Sequence, residues 1–227
     1  MLLFLLSCLV SGESSDYRNY EVDWVEVGYK KNTNNISQSS LKVVIKNGEE
    51  EVGHGSGNYF KYGKYEFVVT AAHVIDNEME VFVADGIDEV KAKVVFVDFV
   101  NDVAILSTEH QLQTIKPMRW RLNKSKRLAG STIYYSGYPS SYGKLLVKGM
   151  VSSQDDSRVI IQSFALPGSS GSVVFDDHGR VVGILTAVAL HAAQFSPYPS
   201  IQEDIVYVST VKHVSIDKII EVIECGR

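Results

Sequence analysis

From Leu41 onward the chain is a succession of short β-branched runs broken by turn residues, and that pattern limits the fold more than any other feature. Leu41–Ile45, Phe67–Val69, Val81–Ala84, Val90–Val97 and Val103–Leu106 form a first group. Thr132–Tyr135, Leu145–Val151, Val159–Gln162, Val173–Phe175, Val181–Leu185 and Ile205–Ser209 form a second. Many short strands at this spacing predict an antiparallel sandwich or barrel. The polar stretch from Lys124 to Gly130 separates the groups and predicts two β lobes, residues 41–123 and 124–227. Only the tail reads as helix. Ile216, Ile219, Ile220 and Ile223 fall on one apolar stripe, with Ser215 placed to cap it.

Ahead of the lobes, residues 1–13 are a signal-like apolar leader and residues 14–40 a polar linker or surface loop. The run Met1–Val10 is too short to span a bilayer, which takes about 20 residues. It has the size of a signal-peptide core but lacks a basic lead-in. Leu5-Leu6-Ser7-Cys8 resembles a bacterial lipoprotein processing site. The expectation is an exported protein, periplasmic or extracellular, touching a membrane only if Cys8 carries a lipid. Cys8 and Cys225 are the only cysteines, so the body must hold together without a disulfide framework. Net charge is −5 and no Lys/Arg run reaches four, which argues against a nucleic-acid partner. Asn35-Ile36-Ser37 and Asn123-Lys124-Ser125 fit the N-glycosylation pattern, relevant only in a eukaryotic secretory pathway.

Chemistry concentrates in three segments. Pro167-Gly168-Ser169-Ser170-Gly171-Ser172 is a small-residue turn between apolar runs, and it carries three serines. Acyl transfer needs a hydroxyl standing clear of its backbone, with peptide N–H groups aimed at the same side. If Ser170 is that nucleophile, the N–H groups of Gly168 and Ser170 form the oxyanion hole. Taken alone, such a turn is more often a simple hairpin. A serine also needs a base, and Val68-Val69-Thr70-Ala71-Ala72-His73-Val74 places a histidine at the end of an apolar strand. The other histidines, 54, 110, 178, 191 and 213, lie beside turns or in polar stretches. The base in turn needs an anion to hold its tautomer. Asp102 enters an apolar strand, where an unpaired charge is costly, while Asp98 and Asp76 compete for the role.

Together the segments resemble the chymotrypsin-fold proteases, most closely those of the HtrA/Deg type. The likeness lies in Thr70-Ala71-Ala72-His73-Val74, in Val95-Phe96-Val97-Asp98-Phe99-Val100-Asn101-Asp102-Val103-Ala104-Ile105-Leu106, and in Pro167-Gly168-Ser169-Ser170-Gly171-Ser172. Gly55-Ser56-Gly57, Gly137-Tyr138-Pro139, Lys148-Gly149-Met150-Val151-Ser152 and Gly179–Ala187 add to it. The resemblance implies an all-β, chymotrypsin-like double antiparallel β-barrel with a short C-terminal helix. It implies a serine endopeptidase acting on polypeptides through His73, Asp102 and Ser170, with the aspartate role at Asp102 rather than Asp98. Thr186, Ala187 and Val188 would form the strand edge that pairs with the substrate. Phe164 would floor the specificity pocket with Val188 on a wall; neither is acidic, so apolar or small side chains are expected there.

Some positions depart from the pattern. Ser169 stands where HtrA proteases carry asparagine and trypsins aspartate, and Ser172 replaces a glycine. No PDZ-like segment follows residue 227, so tail sensing of the HtrA kind is not expected. No cofactor is called for, and no His or Cys pair has metal-ligand spacing. A P-loop reading of Gly57–Tyr65 fails, because Tyr65 stands where Ser or Thr is required. Two alternatives share the fold: a catalytically silent binding protein, and a viral or phage processing protease with the same chemistry.

Overall fold

The computed structural model describes residues 31–225, except 76–78, 85–86, 88, 141, 193–198 and 213. The leader, Cys8, most of the polar extension, Asp76 and His213 lie outside the described residues.

The first group of strands comprises β1 (Ser40–Asn47), β2 (Glu50–Tyr62), β3 (Tyr65–Thr70), β4 (Glu80–Ala84), β5 (Glu89–Asp98) and β6 (Val103–Thr108). They pair antiparallel in the order β1-β4-β5-β6-β3-β2, and a further β1–β2 ladder closes the ring. A two-residue strand, β7 (Met118–Arg119), adds parallel to β2. The second group comprises β8 (Thr132–Gly137), β9 (Leu145–Gln154), β10 (Arg158–Gln162), β11 (Val173–Asp176), β12 (Val181–Ala192) and β13 (Pro199–Thr210). It closes as β10-β13-β12-β11-β8-β9. Both rings run first–second–third–sixth–fifth–fourth, so one connectivity is used twice without a visible repeat in the sequence. The double barrel is the architecture that the motif resemblance implies.

Among the described residues, most apolar burial falls in three cores. One lies inside each barrel: Leu41, Val43, Val68 and Leu106 in the first, Ile133, Ile161, Val174 and Val206 in the second. The third lies between them and draws on β3, β6, β11 and β12 together. Side chains alternate across a strand. On β6, Ala104 and Leu106 therefore face the barrel interior, while Val103 and Ile105 face the neighbouring barrel. On β11, Val174 points in and Val173 and Phe175 point across. Strands buried on both faces read as continuous apolar runs rather than alternating ones. Phe60, Phe67, Trp120 and Phe175 interlock in this shared core, Phe60 meeting Trp120 edge-on at 4.9 Å.

Two features differ from the sequence reading. A helix, α1 (Lys31–Ser39), occupies the end of the segment expected to be a linker. It offers a single large apolar anchor, Ile36, fully buried in the shared core. The Ser39 hydroxyl and the Ile36 carbonyl both accept from the Asn58 amide. The second is β2, thirteen residues long and absent from the predicted runs because glycines interrupt it. Two of those glycines, Gly55 and Gly57, are where backbone meets backbone. A Cβ on Gly55 would come within 2.9 Å of the Ser170 carbonyl, and one on Gly57 within 3.0 Å of the Val69 carbonyl. The tail helix, α2 (Ile216–Cys225), matches the isoleucine stripe and buries Ile219 and Ile223.

Candidate active site

β3 and β6 pair at Val68↔Leu106, Val69↔Ile105 and Thr70↔Ala104. The end of β3 and the start of β6 are thereby brought side by side. His73 follows β3 on a single 3-10 turn, Ala72–Val74, and Asp102 closes the turn before β6. Ala71 and Ala72 are completely buried, so small side chains let this turn sink against the body. The Asp102 carboxylate engages His73 twice. Oδ2 lies 2.7 Å from ring Nδ1, and Oδ1 accepts the His73 backbone N–H at 2.8 Å. With Nδ1 held, Nε2 is the ring nitrogen left to exchange a proton. Asp98, the competitor, is committed elsewhere: it accepts the N–H groups of Val100 and Asn101 and the Asn101 amide, and so caps the turn.

The Pro167–Ser172 loop sorts its three serines by burial. Ser172 is fully buried and Ser169 nearly so, its hydroxyl accepting the Leu166 N–H. Ser170 is half-exposed and opens onto a cleft of about 450 Å³ that His73 also lines, along with Ile45, Val52, His54 and Met79. The loop is fastened from both barrels. Ser56 N–H donates to the Ser170 carbonyl at 2.7 Å, and Gly171 N–H to the Leu185 carbonyl at 2.8 Å. Gly171 sits at φ +89, and a Cβ there would lie 2.1 Å from the Ser56 carbonyl, so only glycine fits. Gly168, at φ +92, also lines the cleft. Among the described residues, neither its N–H nor that of Ser170 has a hydrogen-bond acceptor, whereas Ser169 N–H is engaged by the Leu166 carbonyl.

The expected substrate-binding residues lie on the second barrel. Phe164 is exposed, and its carbonyl accepts the Tyr135 hydroxyl. Burial pushes the Tyr135 phenol pKa up. β11 ends its pairing with β12 at Val173↔Ile184, and Leu185 is bonded by Ser172 and Gly171. Among the described residues, β12 beyond Leu185 has β13 as its one strand partner, which leaves the other edge of Thr186–Val188 without a described strand. The Thr186 hydroxyl donates to the Tyr207 carbonyl at 3.3 Å, and Ala187 is exposed. The Val188 side chain lies outside the described residues.

Three residues near the loop were given no site role from sequence. His54, set aside there as a turn or polar-stretch histidine, lies in β2 and lines the cleft. Its Nδ1 faces Glu51 at 3.4 Å, while Nε2 is buried without a hydrogen-bond partner among the described residues. Ser56 and Ser140 bind the loop's carbonyls. Ser56 lies within the Gly55-Ser56-Gly57 motif and Ser140 directly follows Gly137-Tyr138-Pro139, but neither motif says what the serine binds. A smaller hollow of about 310 Å³ beside Val83, Val90, His110 and Leu112 contains none of these groups. Asp176, Asp177 and His178 cluster on the β11–β12 turn, but the Asp176 carboxylate is already engaged by Arg180 and Asn123. The Asn123 sequon amide is buried in that contact.

A family model described as trypsin-like peptidase domain matches residues 55–184, more than half of the chain. Among curated proteins, the chain is 32% identical over 152 residues to the chloroplastic Protease Do-like 1 of Arabidopsis thaliana, covering 61% of this chain and 34% of the relative. It is 26% identical over 172 residues to an HtrA-like serine protease of Staphylococcus epidermidis, covering 67% and 29%. The chain thus spans about a third of the length of these relatives. Among solved structures, the active form of an M. tuberculosis protease superposes with a TM-score of 0.63 at 21% identity, covering 81% of each chain. The serine endoprotease from Yersinia pestis gives 0.65 at 18% identity, covering 89% of this chain and 70% of that one. At those identities the structural likeness bears on the fold alone.

Proposed function

This chain belongs to the trypsin-like peptidase domain family, and we propose that it is a serine endopeptidase with His73, Asp102 and Ser170 as its catalytic triad. The observation that carries this reading is that Ser170 alone of its loop's serines opens onto the cleft lined by His73, whose ring is held by Asp102.

Ser170 Oγ attacks the scissile carbonyl as His73 Nε2 takes its proton, and the imidazolium is stabilised by Asp102. The oxygen that becomes negative is met by the N–H groups of Gly168 and Ser170. His73 then gives the proton to the departing amine, and the carbonyl carbon stays bonded to Ser170 as an ester. A water molecule, deprotonated by His73, attacks that ester; the acid product leaves and Ser170 recovers its proton. The substrate backbone adds to the open edge of β12 at Thr186–Val188. Phe164 at the pocket floor favours an apolar or small side chain. Met1–Val10 supports export, and Leu5–Cys8 a lipid anchor as a variant of it.

The test is digestion of an unfolded protein, with the new termini read by mass spectrometry. Wild type is expected to cleave internal peptide bonds, while Ser170→Ala and His73→Ala leave the substrate intact. Equal cleavage by Ser170→Ala would overturn the assignment.

A further inference from the structure

Two consecutive carbonyl oxygens of the nucleophile loop are anchored from outside it. The Pro167 carbonyl accepts the Ser140 N–H at 2.7 Å and the Ser140 hydroxyl at 3.2 Å. The Gly168 carbonyl accepts the Ser56 hydroxyl at 2.7 Å. Ser56 Oγ in turn accepts the Tyr138 N–H at 2.8 Å, so the 138–140 segment and β2 converge on one turn. Ser56 is fully buried, and its carbonyl accepts the Thr70 hydroxyl at 2.7 Å.

A trans peptide is planar, with its C=O and N–H pointing in opposite directions. Holding the Pro167 carbonyl outward therefore fixes the direction of the Gly168 N–H. Holding the Gly168 carbonyl fixes the next plane, and with it the approach to Ser170. Neither plane can rotate about Gly168 without breaking an anchor. The seat is tight, since a Cβ on Gly168 would stand 2.6 Å from the Tyr138 carbonyl. Ser140 itself holds φ +46, a backbone region that non-glycine residues seldom adopt. Local strain thus falls on the exposed residue that makes the Pro167 tie.

We propose that Ser56 and Ser140 are positioning residues that hold the two peptide planes flanking Gly168, keeping its N–H turned into the cleft as an oxyanion donor. This rests on the endopeptidase reading above. The 138–140 segment, which does not itself touch the reacting atoms, thereby controls whether the oxyanion hole is formed.

Steady-state cleavage of a peptide amide is measured for wild type, Ser56→Ala, Ser140→Gly and Ser140→Val, with inhibition by a peptide aldehyde and by the matching product acid. The aldehyde forms an oxyanion on Ser170, and the product acid reports ground-state binding. Ser56→Ala and Ser140→Val are expected to lower kcat by roughly 10- to 100-fold, with KM within about twofold, and to weaken the aldehyde by the same factor while sparing the product acid. Ser140→Gly keeps the N–H and suits positive φ, so its loss of kcat falls between wild type and Ser140→Val. Folded variants with unchanged kcat, or with the loss entirely in KM, overturn the proposal. Ser140 is exposed, so Ser140→Val decides the matter should Ser56→Ala fail to fold. An inert wild type overturns the endopeptidase reading and this proposal with it; an active wild type with indifferent variants overturns the positioning role alone.

Discussion

At Asp102 the chain adopts a left-handed backbone, φ +53, and one carboxylate reaches two donors on His73. Asparagine tolerates that φ, so Asp102→Asn is expected to fold. Its amide can present an N–H to Nδ1 and hold the ring in the wrong tautomer. We expect kcat for peptide cleavage to fall by about 10⁴-fold. Asp98→Asn is the contrasting change: it weakens the cap on the 98–101 turn, costing about 1 kcal/mol in a denaturant titration and leaving kcat within about twofold. Part of this scale was legible in the sequence. His73 and Asp102 stood out because they border apolar runs, but the choice among Asp76, Asp98 and Asp102 needed the motif resemblance. The motif resemblance picked Ser170 from the loop's three serines, and burial separates it from Ser169 and Ser172. The roles of Ser56 and Ser140 left almost no trace, although one lies within and the other beside a quoted motif, because their hydroxyls reach backbone carbonyls up to 112 residues away.

Among the elements, the strands that frame the site are those buried on both faces. β3 delivers His73, β6 begins after Asp102, and β11 begins after Ser172. Their continuous apolar runs were therefore the most visible strands, while Gly-rich β2 was not visible at all. Gly171→Ala would drive a Cβ into the Ser56 carbonyl at a positive φ. We expect a loss of at least about 3 kcal/mol in unfolding free energy, measured by denaturant titration. Tyr135 on β8 supplies a pH prediction. Burial raises its folded pKa above the ordinary value near 10, so folding favours the neutral phenol. That contribution is fully present below about pH 10 and declines as pH rises beyond it. Stability measured from pH 9 to 11 should fall less steeply in Tyr135→Phe than in wild type; identical slopes would contradict the assignment.

For the whole molecule, the core between the barrels makes two rings behave as one body. Ile36 of α1, Phe67 and Ile105 of the first barrel, Phe175 and Ile184 of the second, and Ile219 of α2 belong to a single cluster. The protein should unfold in one transition by both calorimetry and fluorescence. Ile36→Ala should lower the stability of the whole by about 2–5 kcal/mol without separating the barrels, and two resolved transitions would contradict a shared core. Two β lobes were readable from strand spacing, and the double barrel was implied by the motif resemblance. The docking of α1 was not, because one isoleucine in a polar nonapeptide carries no helical period.

The central claim is that Ser170 is an activated nucleophile, and labelling by a fluorophosphonate probe tests it most directly. Wild type should take up one probe per chain, at Ser170, while Ser170→Ala takes up none and Asp102→Asn reacts far more slowly. A folded wild type that remains unlabelled, or a Ser170→Ala variant labelled as fast as wild type, would contradict the account.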